Sequence, residues 1–242
     1  MKKCPYCGEE IEDTAQVCPE CGEKQPETVY INSFEREDYS IIQKFFYSIK
    51  DLFFAPTKFF ESLSSKTGVL NAFLFFMGIT VISAIFNSIW TKTMMSNMKT
   101  FMQQFGDAMQ QNEAFWSGFQ SSMANYSFTL TFIRGVIFGT IGIFILSAIY
   151  HVILIILGEG KNGFQNTLKA SFFGYTPNLL VIIPFCGSII GYIWAIVLTI
   201  IGLAKLQKTS YGKAAIAVLS ILVLCCFMAF LGMGALATFL NK

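Results

Sequence analysis

The chain has 242 residues, of which 54% are hydrophobic and 13% charged. Soluble domains carry about 25% charged residues, so this composition excludes a chain bathed mainly in water and makes the bilayer its natural solvent. A formal net charge of +2 is too small to draw a nucleic-acid backbone.

Charge is unevenly spread. Over residues 1–38 acids outnumber bases ten to four, so an acidic, polar N-terminal part precedes an apolar remainder. The first 25 residues hold lysines but no apolar core segment, and no signal peptide is expected.

Residues 1–25 form a cysteine module. Cys4-Pro5-Tyr6-Cys7-Gly8 and Cys18-Pro19-Glu20-Cys21-Gly22 are two matching knuckles in the spacing C-x2-C-x10-C-x2-C. Two residues between cysteines let both thiolates reach one ion at about 2.3 Å, and two such pairs complete a tetrahedron. So short a segment cannot fold on a hydrophobic core, and a metal must supply its stability. One Zn2+ held by Cys4, Cys7, Cys18 and Cys21 is the expected cofactor, structural because no ligand position stays open. A pair of disulfides is the alternative, disfavoured in a reducing cytosol. Four thiolates on one Zn2+ leave a net charge of about −2. The module then repels phosphate, and its expected partner is a cytosolic or membrane protein, or another copy of this chain, with no nucleic acid.

Residues 26–40 read as a linker and 41–66 as an amphipathic interfacial segment. Ile41, Ile42, Phe45, Phe46, Ile49, Leu52 and Phe53 fall on one helical stripe, and Pro56 interrupts before a second short stretch. Such a helix lies in a membrane interface or packs its stripe on a bundle. The membrane domain, 67–242, holds five expected spans at about 69–90, 130–157, 168–184, 188–204 and 214–240. Residues 91–127 read as a long polar outer loop in which Met94, Met98, Phe101, Met102, Phe105 and Met109 again keep helical spacing. Clustered thioethers suit Cu(I), but Met with Phe on one face reads better as a flexible apolar surface.

Placing the N-terminus inside puts thirteen of the seventeen Lys and Arg residues on the inner side. The positive-inside rule therefore predicts a plasma-membrane protein with a cytoplasmic N-terminus and an outside C-terminus. Intramembrane ionisable and helix-breaking residues are functional candidates by default. Arg134 reads as an interfacial anchor and His151 as a hydrogen-bonded packing residue or a proton relay. Pro177 reads as a kink with satisfied neighbours or the wall of a solute pathway. Glu159 is expected in water. Gly135, Gly139 and Gly142, with Gly187 and Gly191, allow close helix contact or a homodimer face. Catalytic patterns such as H-E-x-x-H are missing from the sequence, so no enzyme is expected.

Two resemblances add to this reading. Residues 4–22 resemble the short zinc-ribbon modules that prokaryotic membrane proteins carry at their N-termini. Residues from about 45 to 220 resemble the Yip (Ypt-interacting-protein) family. Asp51-Leu52-Phe53-Phe54-Ala55-Pro56-Thr57-Lys58-Phe59-Phe60 is similar to its aspartate-to-proline motif before the first span. Gly174-Tyr175-Thr176-Pro177, with Pro184, is similar to its third-span pattern, which makes Tyr175 a candidate position. Ile201-Gly202-Leu203 followed by Ser210 to Ala214-Ala215 resembles the end of its fourth span and the start of its fifth. The resemblance implies an all-α, five-span domain with a cytosolic N-terminus. Eukaryotic members are tied to vesicle traffic and Rab-type GTPases; the zinc module points instead to a bacterial or archaeal chain. The expected function is a non-enzymatic membrane organiser or adaptor, with a small-solute or ion transporter near Pro177, His151 and Arg134 as the alternative.

Overall fold

A computed structural model describes residues 2–4, 7–12, 15, 17–23, 31–63, 67–109, 121, 126–221 and 223. The chain divides into two compact units, Met1–Ile31 and Asn32–Lys242. In the first, β1 (Lys2–Lys3) pairs antiparallel with β2 (Glu10–Ile11) in the register Lys2 to Ile11 and Lys3 to Glu10. Its buried apolar core is Cys4, Ile11 and Cys18, with Ala15 packed against it. A core this small cannot offset the entropy of ordering the chain.

The second unit is helical: α1 (Ile41–Phe54), α2 (Pro56–Ser62), α3 (Val69–Met109), α4 (Phe128–Ile156), α5 (Phe164–Gly174), a 3-10 segment (Thr176–Ile182), α6 (Cys186–Leu206) and α7 (Tyr211–Ile221). Among the described residues three helices are long and apolar enough to cross a membrane: Val69–Met98 within α3, Phe128–Ile156 and Cys186–Leu206. α3 and α4 run antiparallel. A Cβ on Gly135 would lie 3.4 Å from Ala84, and one on Gly139 3.5 Å from Thr80, so these two glycines seat α4 on α3 within one chain. Trp90 Nε1 donates to the Val181 carbonyl at 2.8 Å, which joins the end of the first apolar window to the end of the 3-10 segment.

α5 is central, and Thr167 through Gly174 are all buried. Phenylalanines fill the space around it. Phe172 meets Phe76, Phe73 and Phe144 at 5.3, 5.6 and 5.5 Å, and Phe173 meets Phe59 and Phe75 at 5.0 and 5.3 Å. In a bilayer such ring packing replaces the hydrophobic drive that lipid tails remove.

Several expectations need correction. The segment expected as the third span, 168–184, is broken near Pro177, where the sequence predicts a kink. It is the 11-residue α5 followed by seven residues of 3-10 helix, because Pro177 withholds the N–H that would continue the α pattern. At about 1.5 and 2.0 Å per residue the two pieces together rise about 30 Å. The helical spacing expected of Met94 to Met109 is realised, as α3 continues to Met109, since Met, Gln and Lys are good helix formers and no proline intervenes; the loop expected over 91–127 therefore does not begin at 91. Residues 26–40 are not wholly a linker, because Asn32 belongs to the membrane unit and is fully buried. Its side chain donates to Ser62 Oγ at 3.1 Å, and the Ser33 amide donates to Asp51 Oδ2 at 2.9 Å. The stripe of α1 is only partly interfacial: Leu52 is buried and Phe45 and Ile49 pack on the core, while Ile41, Ile42 and Phe46 stay exposed. Of the fifth span, 214–240, residues 222 and 224–240 lie outside the described residues.

Candidate metal centre and the polar sites of the membrane unit

Each knuckle is built the same way. The Gly8 amide donates to the Cys4 carbonyl at 2.8 Å, and the Gly22 amide to the Cys18 carbonyl at 2.9 Å. The Cys4 amide donates to the Glu9 carbonyl at 2.8 Å, and the Cys18 amide to the Glu23 carbonyl at 3.0 Å. Gly8 and Gly22 have φ of +81° and +68°, a region where a side chain is strained. These turns bring the four thiols toward one centre.

The four Sγ atoms lie within 4.8 Å of one another. Cys4 and Cys21 are 3.8 Å apart, Cys7 and Cys18 3.6 Å, far longer than a disulfide bond. A tetrahedron with metal–sulfur distances of about 2.3 Å has edges of about 3.8 Å. The donor set and its spacing therefore fit one zinc-type ion with all four positions filled. Cys4 and Cys18 are buried, Cys7 and Cys21 exposed.

The candidate positions of the membrane unit are not brought together. Arg134 is exposed on α4, and His151 lies about 25 Å further along the same helix. His151 Nδ1 is 2.9 Å from Thr167 Oγ1. Thr167 Oγ1 also accepts from Gln207 Nε2 at 2.8 Å, and Gln207 Nε2 donates to the Gly163 carbonyl at 2.8 Å. His151 thus joins α4, α5 and the end of α6 in a hydrogen-bonded node. Tyr175 is half-buried with its ring 5.1 Å from Phe76.

Pro177 frees the carbonyl four residues earlier, that of Phe173, and Thr176 Oγ1 donates to it at 2.6 Å. The kink is thereby satisfied from within. On the facing helix, a Cβ on Gly187 would come within 1.9 Å of the Leu180 carbonyl oxygen, and one on Gly191 within 2.6 Å of that of Pro177. These glycines admit the 3-10 backbone against α6.

Glu159 accepts from Lys213 Nζ at 2.6 Å. That hydrogen bond, with the charges of Lys213 and Lys161, holds its carboxyl below the usual range. Lys205 and Glu61 pair at 2.6 Å. The sequence reading missed Lys169, 5% exposed on the central helix, and counted it among the inner bases. It is the one charge between Lys161 and Lys205, and that isolation was the available signal.

Comparison with known proteins follows this division. A family model described as a zinc-ribbon domain matches residues 1–25. No curated protein and no solved structure matches the chain. A family model described as a Yip1 domain matches residues 50–233, and the chain belongs to the Yip1 family.

Proposed function

We propose that this protein is a non-enzymatic organiser or adaptor of the plasma membrane whose N-terminal ribbon makes protein contacts on the cytoplasmic side. The observation that carries this reading is the division of the molecule into a closed four-thiol unit and a separate membrane body. Cys4, Cys7, Cys18 and Cys21 would hold one Zn2+, which supplies folding stability to its unit and no open coordination position for chemistry.

The membrane body would cross five times. α5 and the 3-10 segment together make a span of about 30 Å, the thickness of a hydrocarbon core. α7 opens the fifth span and its apolar sequence continues to residue 240. The C-terminus then lies outside, in keeping with the inner excess of Lys and Arg.

Crosslinking in intact cells, followed by identification of partners, tests this reading. The Cys4→Ser, Cys21→Ser double variant should lose the partners that the unsubstituted chain captures. Recovery of the same set from both would overturn the adaptor role. Purified protein in liposomes should carry no ion or solute flux.

A further inference from the structure

Helix α1 has a second apolar side. Its inner side holds the buried Ser48 and Leu52, and Phe45 and Ile49 pack on the aromatic core beside them. On the opposite side Phe46, Lys50 and Phe54 follow at four-residue spacing, flanked by Tyr47. All four are exposed, Phe46 to 63% and Phe54 to 83%. The stripe read from the sequence omits Tyr47 and Phe54, so its period alone does not reveal this outer side.

Helix α2 fixes where that side lies relative to the bilayer. Glu61 pairs with Lys205 at 2.6 Å, and a Cβ on Gly202 would lie 2.9 Å from the Phe60 ring. Gly202 and Lys205 stand at the C-terminal end of α6, where its apolar run stops. The α1–α2 junction therefore meets the rim of the hydrocarbon layer, the level at which aromatic side chains gather in membrane proteins. Charge on the segment is one-sided. Its two acids are both engaged: Asp51 Oδ2 accepts from the Ser33 amide at 2.9 Å, and Glu61 holds Lys205. Lys50 and Lys58 are exposed, and among the described residues neither makes a hydrogen bond or an ion pair.

We infer that the outer side of α1, with Lys58 of α2, is a docking surface for the anionic lipid headgroups of the leaflet beside the end of α6. The Phe46 and Phe54 rings enter among the lipids, and the ammonium groups of Lys50 and Lys58 reach phosphate oxygens. An apolar protein surface would match the rings but strand the Lys50 charge between them; a headgroup layer matches both. This inference stands apart from the adaptor reading, since it concerns lipid and the membrane unit alone.

Amide hydrogen exchange of the full-length protein in nanodiscs, one copy per disc, tests it. Replacing roughly a third of the phosphatidylcholine with phosphatidylglycerol should slow the exchange of residues 41–54 by about tenfold and leave that of α4 unchanged. Lys50→Gln with Lys58→Gln should abolish the difference between the two lipids, and Lys50→Arg with Lys58→Arg should keep it. Phe46→Ala with Phe54→Ala should raise the exchange of residues 41–54 by about tenfold in both lipids. Alanine is the better helix former, so that rise reports lost lipid contact. These variants leave Phe45 and Leu52 in place, and unchanged exchange in α3 checks that the bundle is folded. Equal exchange in the two lipids, a difference that survives Lys50→Gln with Lys58→Gln, or unchanged exchange in the alanine variant would each overturn the inference. So would slowing that needs two copies per disc or an added soluble protein, since the face would then belong to that occupant.

Discussion

The two units of this chain solve the folding problem by opposite means. Among its described residues the N-terminal unit buries three core residues, two of them cysteines, and it gathers four sulfurs within 4.8 Å of one another. The membrane unit buries Phe59, Phe60, Phe76, Phe172 and Phe173 almost completely. One unit is organised by donor chemistry at a point, the other by shape across many rings. Damage should therefore be total in the first and graded in the second.

The largest effect is expected from the ribbon. Cys4→Ser with Cys21→Ser should abolish metal binding, read by elemental analysis as a fall from one zinc per chain to none. The loss is on the order of 10 kcal/mol of binding free energy, while the circular dichroism of the membrane helices stays unchanged. Acid should mimic it, because thiolates must lose protons to bind metal and regain them as pH falls.

Ring packing sets the next scale. Phe172→Ala leaves a cavity among Phe73, Phe76 and Phe144 and should cost about 3–5 kcal/mol in unfolding titrations in detergent. Gly187→Ala forces a methyl onto the Leu180 carbonyl and should cost about 1–3 kcal/mol. Trp90→Phe removes the bond to Val181 and should cost about 0.5–1.5 kcal/mol.

Much of this was legible in the residues, for reasons that differ by region. The knuckles announced themselves because thiolate spacing is a local constraint. The spans over α3, α4 and α6 were legible because lipid demands long uncharged runs. The stripe from Phe45 to Leu52 showed the inward face of α1 by its period. What stayed hidden was non-local. Asn32 and Ser33 bind residues 30 and 18 positions away, and no periodicity marks such pairs. Lys169 looked like one more inner base because nothing in the neighbouring sequence marks that position as buried. The 3-10 segment could be suspected from Pro177, but not its length.

The smallest effect is expected at the surface pair. Glu159→Gln should change stability little, since the pair with Lys213 is only partly buried and water screens it. Its sign can still be tested. The carboxyl is held below its usual range, so the pair stabilises above the unfolded carboxylate range and loses that contribution as pH falls through the lowered value. Nuclear magnetic resonance titration of the Glu159 carboxyl should find its midpoint below that of a model-peptide glutamate.

The contrast between the units is tested most directly by stripping metal from the full chain with a chelator and following amide hydrogen exchange in both. The amides of Cys4, Gly8, Cys18 and Gly22 should lose all protection while those of α3 to α6 keep theirs. Protection that persists in the ribbon without metal, or that collapses across the helices together with it, would contradict the account.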